Sequence, residues 1–166
     1  QPKLLLLMPF LFNTSSKLEL FNSLIFNFSI DGSNNILLET HTLGLNPQVL
    51  TEAIIEERII NNYDLYRVRN EVDSIYFYGA GCGTEPPRIL MGDVLKSIFQ
   101  NASISVKEDT FAAVYAITDP GDPSIVCILG TGSNCSFFDG ETVHQKITSL
   151  GYILMDDASG NYFGRQ

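Results

Sequence analysis

Apolar residues recur along this chain with two different periods, and each change of period marks an element. Residues 4–8 are Leu-Leu-Leu-Leu-Met without a polar break and predict a central strand. Pro9 should stop it, because proline has no N–H for the ladder. Residues 18–21 and 24–30 predict further strands, and Asp31-Gly32-Ser33-Asn34 predicts a turn into a strand over 36–42. The period then becomes helical. Val49, Leu50, Ala53, Ile54, Ile59 and Ile60 form the apolar stripe of a helix over 49–60, with Glu52, Glu56, Glu57 and Arg58 elsewhere on the wheel. Asn61-Asn62 ends it, and the ambiguous stretch 65–72 fits a last helical turn. Residues 74–78, Ser-Ile-Tyr-Phe-Tyr, predict a strand buried on both faces. A helix over 86–99 follows, with Pro86 and Pro87 in its first turn, then a short strand at 104–106 and a helix over 110–117. The apolar run Ile125-Val126-Cys127-Ile128-Leu129 enters a Gly-Thr-Gly-Ser turn, and a second strand leaves it. Residues 142–147 read as one more strand, and the end of the chain as the start of a helix.

This order, a strand meander and then alternating strands and helices, predicts an α/β protein. The chain has 166 residues, ordinary for a single domain, and 45% are hydrophobic, enough for a buried core. Nineteen acidic residues against ten basic ones make the formal net charge −9. With no Lys/Arg cluster, nucleic-acid binding is excluded as a function class, since phosphate backbones need concentrated positive charge. An acidic protein can still bind ATP, where backbone N–H groups and Mg²⁺ neutralise the phosphates. The apolar stretch 4–12 is too short to span a membrane. Only Lys3 precedes it and no small-residue cleavage site follows, so a buried first strand is expected rather than a secretion signal. The three cysteines, Cys82, Cys127 and Cys135, have no metal-ligand spacing. Cys127 inside an apolar strand is expected to be a small buried hydrophobe. A reducing cytoplasm is the simplest compartment.

Four stretches carry chemistry. In Gly130-Thr131-Gly132-Ser133-Asn134 the glycines expose backbone N–H groups and the hydroxyls add donors, as a phosphate cradle needs. The same residues also suit a tight β-hairpin. Leu43-Gly44-Leu45-Asn46-Pro47 ends the third predicted strand, where Asn46 fits a helix N-cap. Gly79-Ala80-Gly81 closes a strand with small residues, leaving room for a ligand or a crossing backbone at its carboxyl end. Asp109 heads a helix just past a strand, which suits a cap and equally a carboxylate facing a cleft. His144 is expected to be structural or exposed on a strand.

Together with Ile75-Tyr76-Phe77-Tyr78-Gly79-Ala80-Gly81-Cys82, Asp109-Thr110-Phe111-Ala112-Ala113 and Leu150-Gly151-Tyr152-Ile153-Leu154-Met155-Asp156-Asp157-Ala158-Ser159-Gly160, these stretches resemble the N-acetylglucosamine kinase-like branch of the sugar kinase, heat-shock-protein-70 and actin superfamily. That branch is often grouped as the BadF/BadG/BcrA/BcrD ATPase family. The match in order and spacing runs from about Leu43 to the end. The resemblance implies a ribonuclease H-like, actin-type ATPase lobe over residues 1–118: a three-strand meander, then parallel strands with crossover helices. The Asp119-Pro120-Gly121-Asp122-Pro123 linker would open a second, truncated lobe over 119–166.

The resemblance also implies roles. Asp109 would be the general base for a sugar hydroxyl, and Asn46, Asp109, Ser133, Asn134, Gly151 and Asp156 would bind the sugar. Gly130, Thr131 and Gly132 would hold nucleotide phosphate, with ATP and Mg²⁺ as cofactors and no protein metal ligand assigned. The expected function is that of an ATP-dependent amino-sugar kinase, N-acetylglucosamine kinase-like. Its partners would be a small-molecule sugar and ATP, with no nucleic acid and no membrane, and an exposed apolar face could pair two copies into a homodimer. The chain departs from the pattern in two places. Where the family has a glycine-rich first phosphate turn with an acidic residue, it reads Met8-Pro9-Phe10-Leu11-Phe12-Asn13-Thr14-Ser15-Ser16; the run Leu5-Leu6-Leu7-Met8-Pro9 is what a one-base frameshift of the family's usual start could encode, and resequencing would test that. Met155, Asp157 and Ala158 replace the usual residues of the last motif. Little catalysis is therefore expected from the 166 residues alone. Two other functions stay open: an ATPase that activates a partner enzyme of the 2-hydroxyacyl-CoA dehydratase type, and a non-catalytic fragment. The first would carry an iron–sulfur cluster on paired cysteines, which the cysteine spacing does not supply.

Overall fold

The computed structural model describes residues 4–9, 25–30, 36–119, 121–129, 133–145 and 159–164. The expected strand at 18–21, the turn at 31–34 and most of the last motif lie outside the described residues. The chain divides into two compact units, Gln1–Asp109 and Thr110–Gln166.

The first unit is mixed α/β. Its five-stranded sheet has the order β3-β2-β1-β4-β5, built from β1 (Leu4–Pro9), β2 (Ile25–Ile30), β3 (Ile36–Thr42), β4 (Ser74–Gly79) and β5 (Ser103–Glu108). The first three strands pair antiparallel, and β4 and β5 join β1 in parallel, the arrangement the family resemblance implies. Pro9 is accommodated in β1 because it is the strand's last residue, opposite Ile25. Helix α3 (Glu85–Ile98) makes the crossover between β4 and β5. Its buried residues Met91, Val94, Leu95 and Ile98 follow the i, i+3, i+4, i+7 spacing of one helical face. They pack with Ile75 and Phe77 of β4 and with Ile55 and Ile59 of α1 (Glu52–Ile60). Full burial of each such side chain contributes about 1.5–3 kcal/mol.

Three local expectations need correction. Helix α1 begins at Glu52 rather than at 49, because residues 46–50 close a turn of their own. The Asn46 carbonyl accepts from the N–H of Val49 at 3.2 Å and of Leu50 at 3.1 Å. Val49 is consequently 75% exposed, and the buried stripe is Ile55 and Ile59 rather than Ile54 and Ile60. The ambiguous segment after it is a separate helix, α2 (Tyr63–Val68), started by Asn62, whose side-chain oxygen accepts from the Leu65 N–H at 3.1 Å. Strand β4 is buried on one face only. Ile75, Phe77 and Gly79 point inward, while Tyr76 is 42% exposed, and its phenol hydroxyl suits the solvated side.

The second unit holds a three-stranded antiparallel sheet, β6 (Ser124–Leu129), β7 (Ser133–Phe138) and β8 (Val143–His144). Helix α4 (Asp109–Ile117) contributes Val114 to a small core with Val126, Phe138 and Val143. Tyr115 meets Phe138 edge-on at 6.0 Å between ring centroids. A short helix, α5 (Gly160–Gly164), lies near the end of the chain.

Candidate functional site

In the first unit, strand direction decides where chemistry can gather. β1, β4 and β5 run parallel, and β3, two antiparallel steps from β1, runs the same way. Thr42 pairs with Ile25, Ile25 with Pro9, and Gly79 with Glu108. The carboxyl ends of four strands therefore share one edge of the sheet, the usual place for a ligand in an open α/β sheet. The loop carrying Asn46 leaves β3 there, the loop Gly79–Gly83 leaves β4, and Asp109 leaves β5 with no intervening residue.

The loop Gly79–Gly83 joins these pieces. Gly81 has φ +83°, and a Cβ built on it would lie 2.1 Å from Asn46 Oδ1. Only glycine permits both that backbone angle and the close approach. Asn46 is half-buried, and its Oδ1 accepts from the Gln48 N–H at 2.9 Å, a side-chain turn that fixes the carboxamide against the loop. On the loop's other flank, a Cβ on Gly83 would lie 3.2 Å from Glu108 Oε1. Between them Cys82 is fully buried, and its thiol is pushed up to about 12, first by burial and then by the negative charge of Asp109, against a smaller opposing effect of Arg88. Asp109 is thus close enough to act electrostatically on the loop that Asn46 touches. Arg58 braces the approach from α1, its guanidinium donating to the Gly44 carbonyl.

The structure sets Asn46 against Gly81, and Asp109 directly follows Glu108, whose carboxylate flanks Gly83 at the other side of the loop. Ser133 and Asn134 lie in the second unit, at the start of β7. They are strand neighbours and so project to opposite faces of the hairpin. Asn134 Oδ1 accepts from Ser136 Oγ at 2.7 Å. Gly130, Thr131, Gly132, Gly151 and Asp156 lie outside the described residues. Among the described residues no group of three or more His, Cys, Asp or Glu could hold a metal ion, and no helix is long and apolar enough to cross a membrane. Sequence reasoning missed Glu108 and the role of Gly81. The signal was present, since Gly-x-Gly at a strand end followed by an acidic pair at the next strand end marks close backbone approach beside charge, but only the register shows that the two ends adjoin. His144 is exposed as expected. Its Nε2 lies 2.6 Å from Asp139 Oδ2, in the turn before β8.

Cys127 departs from expectation. It is exposed, not buried. Alternation places Val126 and Ile128 toward the small core, so Cys127 between them must face outward.

No family model matches the sequence, and no curated protein matches it. Among solved structures, the chain is similar to a proposed N-acetylglucosamine kinase from Porphyromonas gingivalis, with a TM-score of 0.74 and 27% identity. The similarity covers 99% of this chain and 54% of that one, so the chain spans about half the length of the structure it matches. In fold, the chain resembles the N-acetylglucosamine kinase-like family.

Proposed function

We propose that this chain is the sugar-binding and base-carrying part of an ATP-dependent amino-sugar kinase, with N-acetylglucosamine as the substrate. The observation that carries this reading is the fold similarity to a proposed N-acetylglucosamine kinase over 99% of the chain. The position of Asn46 against Gly81, with Asp109 following Glu108 at the end of the neighbouring strand, supports it. On this reading the first unit is an actin-type ATPase lobe, and the segment beginning near Asp119 starts a second one.

The chemistry follows from residue types. A sugar presents several hydroxyls, each a donor and an acceptor. The Asp109 carboxylate accepts from one of them and takes its proton as that oxygen becomes the nucleophile, a contribution of about 10²–10⁴ in rate for a positioned base. Asn46 holds a neighbouring hydroxyl, so that the reacting oxygen is oriented rather than free to rotate. The negative charge of Asp109 and Glu108 around the loop favours a neutral, donor-rich ligand over an anionic one. ATP with Mg²⁺ is the phosphoryl donor the reaction requires, and Gly130, Thr131 and Gly132 are the residues proposed to meet its phosphates with backbone N–H groups.

The test is an ATP-consumption assay with N-acetylglucosamine and Mg²⁺ on this chain, on Asp109→Asn, and on a form extended to the length of the matched structure. Sugar-dependent turnover in the extended form, lost by at least about 100-fold in Asp109→Asn, supports the reading. Turnover that is indifferent to the sugar, or to the loss of Asp109, contradicts it.

A further inference from the structure

The β6–β7 hairpin carries two of the three cysteines in direct opposition. Cys127 pairs with Cys135 in the antiparallel register, between Val126↔Ser136 and Ile128↔Asn134. Both are exposed, and their sulfurs are 3.4 Å apart. Directly opposed residues in an antiparallel pair have Cα atoms about 4.5–5.5 Å apart. A disulfide needs about 4.4–6.8 Å, so the backbone already meets the requirement. Closing the bond would bring the sulfurs from 3.4 Å to the bonded distance of about 2.05 Å.

We propose that Cys127 and Cys135 are a redox-active dithiol that closes to an intramolecular disulfide on exchange with a small-molecule disulfide such as glutathione disulfide. The site is independent of the kinase reading. One thiolate of the pair attacks a sulfur of the small disulfide, forming a mixed disulfide and releasing one small thiol. The partner's thiolate then attacks the protein sulfur of that mixed bond, forming Cys127–Cys135 and releasing the second small thiol. The two cysteines are oxidised by two electrons, the small disulfide is reduced to two thiols, and the two cysteine protons end on those thiols. Resolution of the mixed disulfide is fast because the second sulfur is already in contact. The bond would tie together the two strands that segment 130–132 connects.

The third cysteine serves as an internal control. Cys82 is fully buried, and its thiol is held up near 12, chiefly by that burial. It has neither the access nor the thiolate needed for exchange. The hydrogen bond with Cys127 also raises the Cys135 thiol, so exchange should accelerate as pH rises into the alkaline range, where the attacking thiolate forms.

The experiment equilibrates the folded protein with glutathione and glutathione disulfide at a series of ratios, alkylates the remaining thiols, and maps them by peptide mass spectrometry. The expected product has lost two hydrogens, joins the peptides of Cys127 and Cys135, is monomeric, leaves Cys82 as a thiol, and reverts with dithiothreitol. Cys127→Ser and Cys135→Ser should each lose the internal bond and accumulate a stable mixed disulfide with glutathione on the remaining exposed cysteine. Both thiols remaining alkylatable at every ratio would overturn the proposal. So would independent, unresolved glutathione adducts on both cysteines of the unmutated protein, or a disulfide that involves Cys82 or links two chains.

Discussion

Gly81 and Asn46 show how much of the candidate site rests on single atoms. A methyl group at Gly81 would meet Asn46 Oδ1 at 2.1 Å and would force a side-chain-bearing residue to φ +83°. That backbone angle costs about 1–3 kcal/mol for a non-glycine residue. Gly81→Ala should therefore lower the unfolding free energy by an amount in that range, read as a lower urea midpoint at unchanged m, and it should weaken sugar binding further by pushing Asn46 off the loop. An alanine variant with unchanged stability and unchanged affinity would mean that the loop and Asn46 do not depend on each other. Asp109 contributes differently. Asp109→Asn keeps size and polarity but removes the charge, so folding should be little changed. A hydrogen bond to a charged group contributes about 1.5–3 kcal/mol, so the variant should bind the sugar on the order of 10- to 100-fold more weakly. Calorimetric titration reads that loss directly.

At the scale of elements, period carried the reading well wherever packing is simple. Strands β3, β4 and β6, and helix α3, sit within a few residues of where their apolar runs place them. Where side chain and backbone compete, period misled. The Asn46 turn consumed residues that look helical and delayed α1 to Glu52, and nothing in the apolar spacing distinguishes the two. Cys127 looked buried because both its neighbours are apolar, yet a strand turns alternate residues outward regardless of their type. The site was legible as separate residues, Asn46 and Asp109, and not as a place, because the adjacency of strand ends comes from long-range pairing. The β7–β8 turn offers a test of local electrostatics. Asp139 Oδ1 accepts from the N–H of Thr142 at 2.7 Å and of Glu141 at 2.9 Å, and Oδ2 meets His144. The Thr142 N–H foremost, then His144, hold this carboxyl well below its ordinary 3.8. A depressed folded value stabilises fully above the unfolded one and is lost as pH falls through the folded one. Asp139→Asn should thus be less stable than the unmutated protein at neutral pH, and the gap in urea midpoint should narrow as pH drops below 3.8. A gap that stays constant into strong acid would show that the turn, not the charge, matters.

On the scale of the whole molecule, the two units pose separate questions. The first has a sheet, a core and a loop cluster that together present Asn46 and Asp109. The second carries the β6–β7 hairpin, in which Ser133 and Asn134 lie. The matched structure is nearly twice as long, this chain covering 54% of it. Exposed apolar residues such as Ile36, Leu37 and Ile117 are candidates for contact with further chain or with a second copy. A concentration series in sedimentation velocity should show association if they pair copies, and a constant monomer would count against a homodimer.

The central claim is that Asn46 and Asp109 build an amino-sugar site at the carboxyl edge of the first unit's sheet. The most direct measurement is a calorimetric titration of N-acetylglucosamine into this chain without nucleotide, repeated on Asn46→Ala and Asp109→Asn. The account predicts saturable binding that both substitutions weaken by about tenfold or more, while Cys127→Ser leaves it unchanged. Saturable binding that neither Asn46→Ala nor Asp109→Asn affects, or no binding to a demonstrably folded chain, would contradict it.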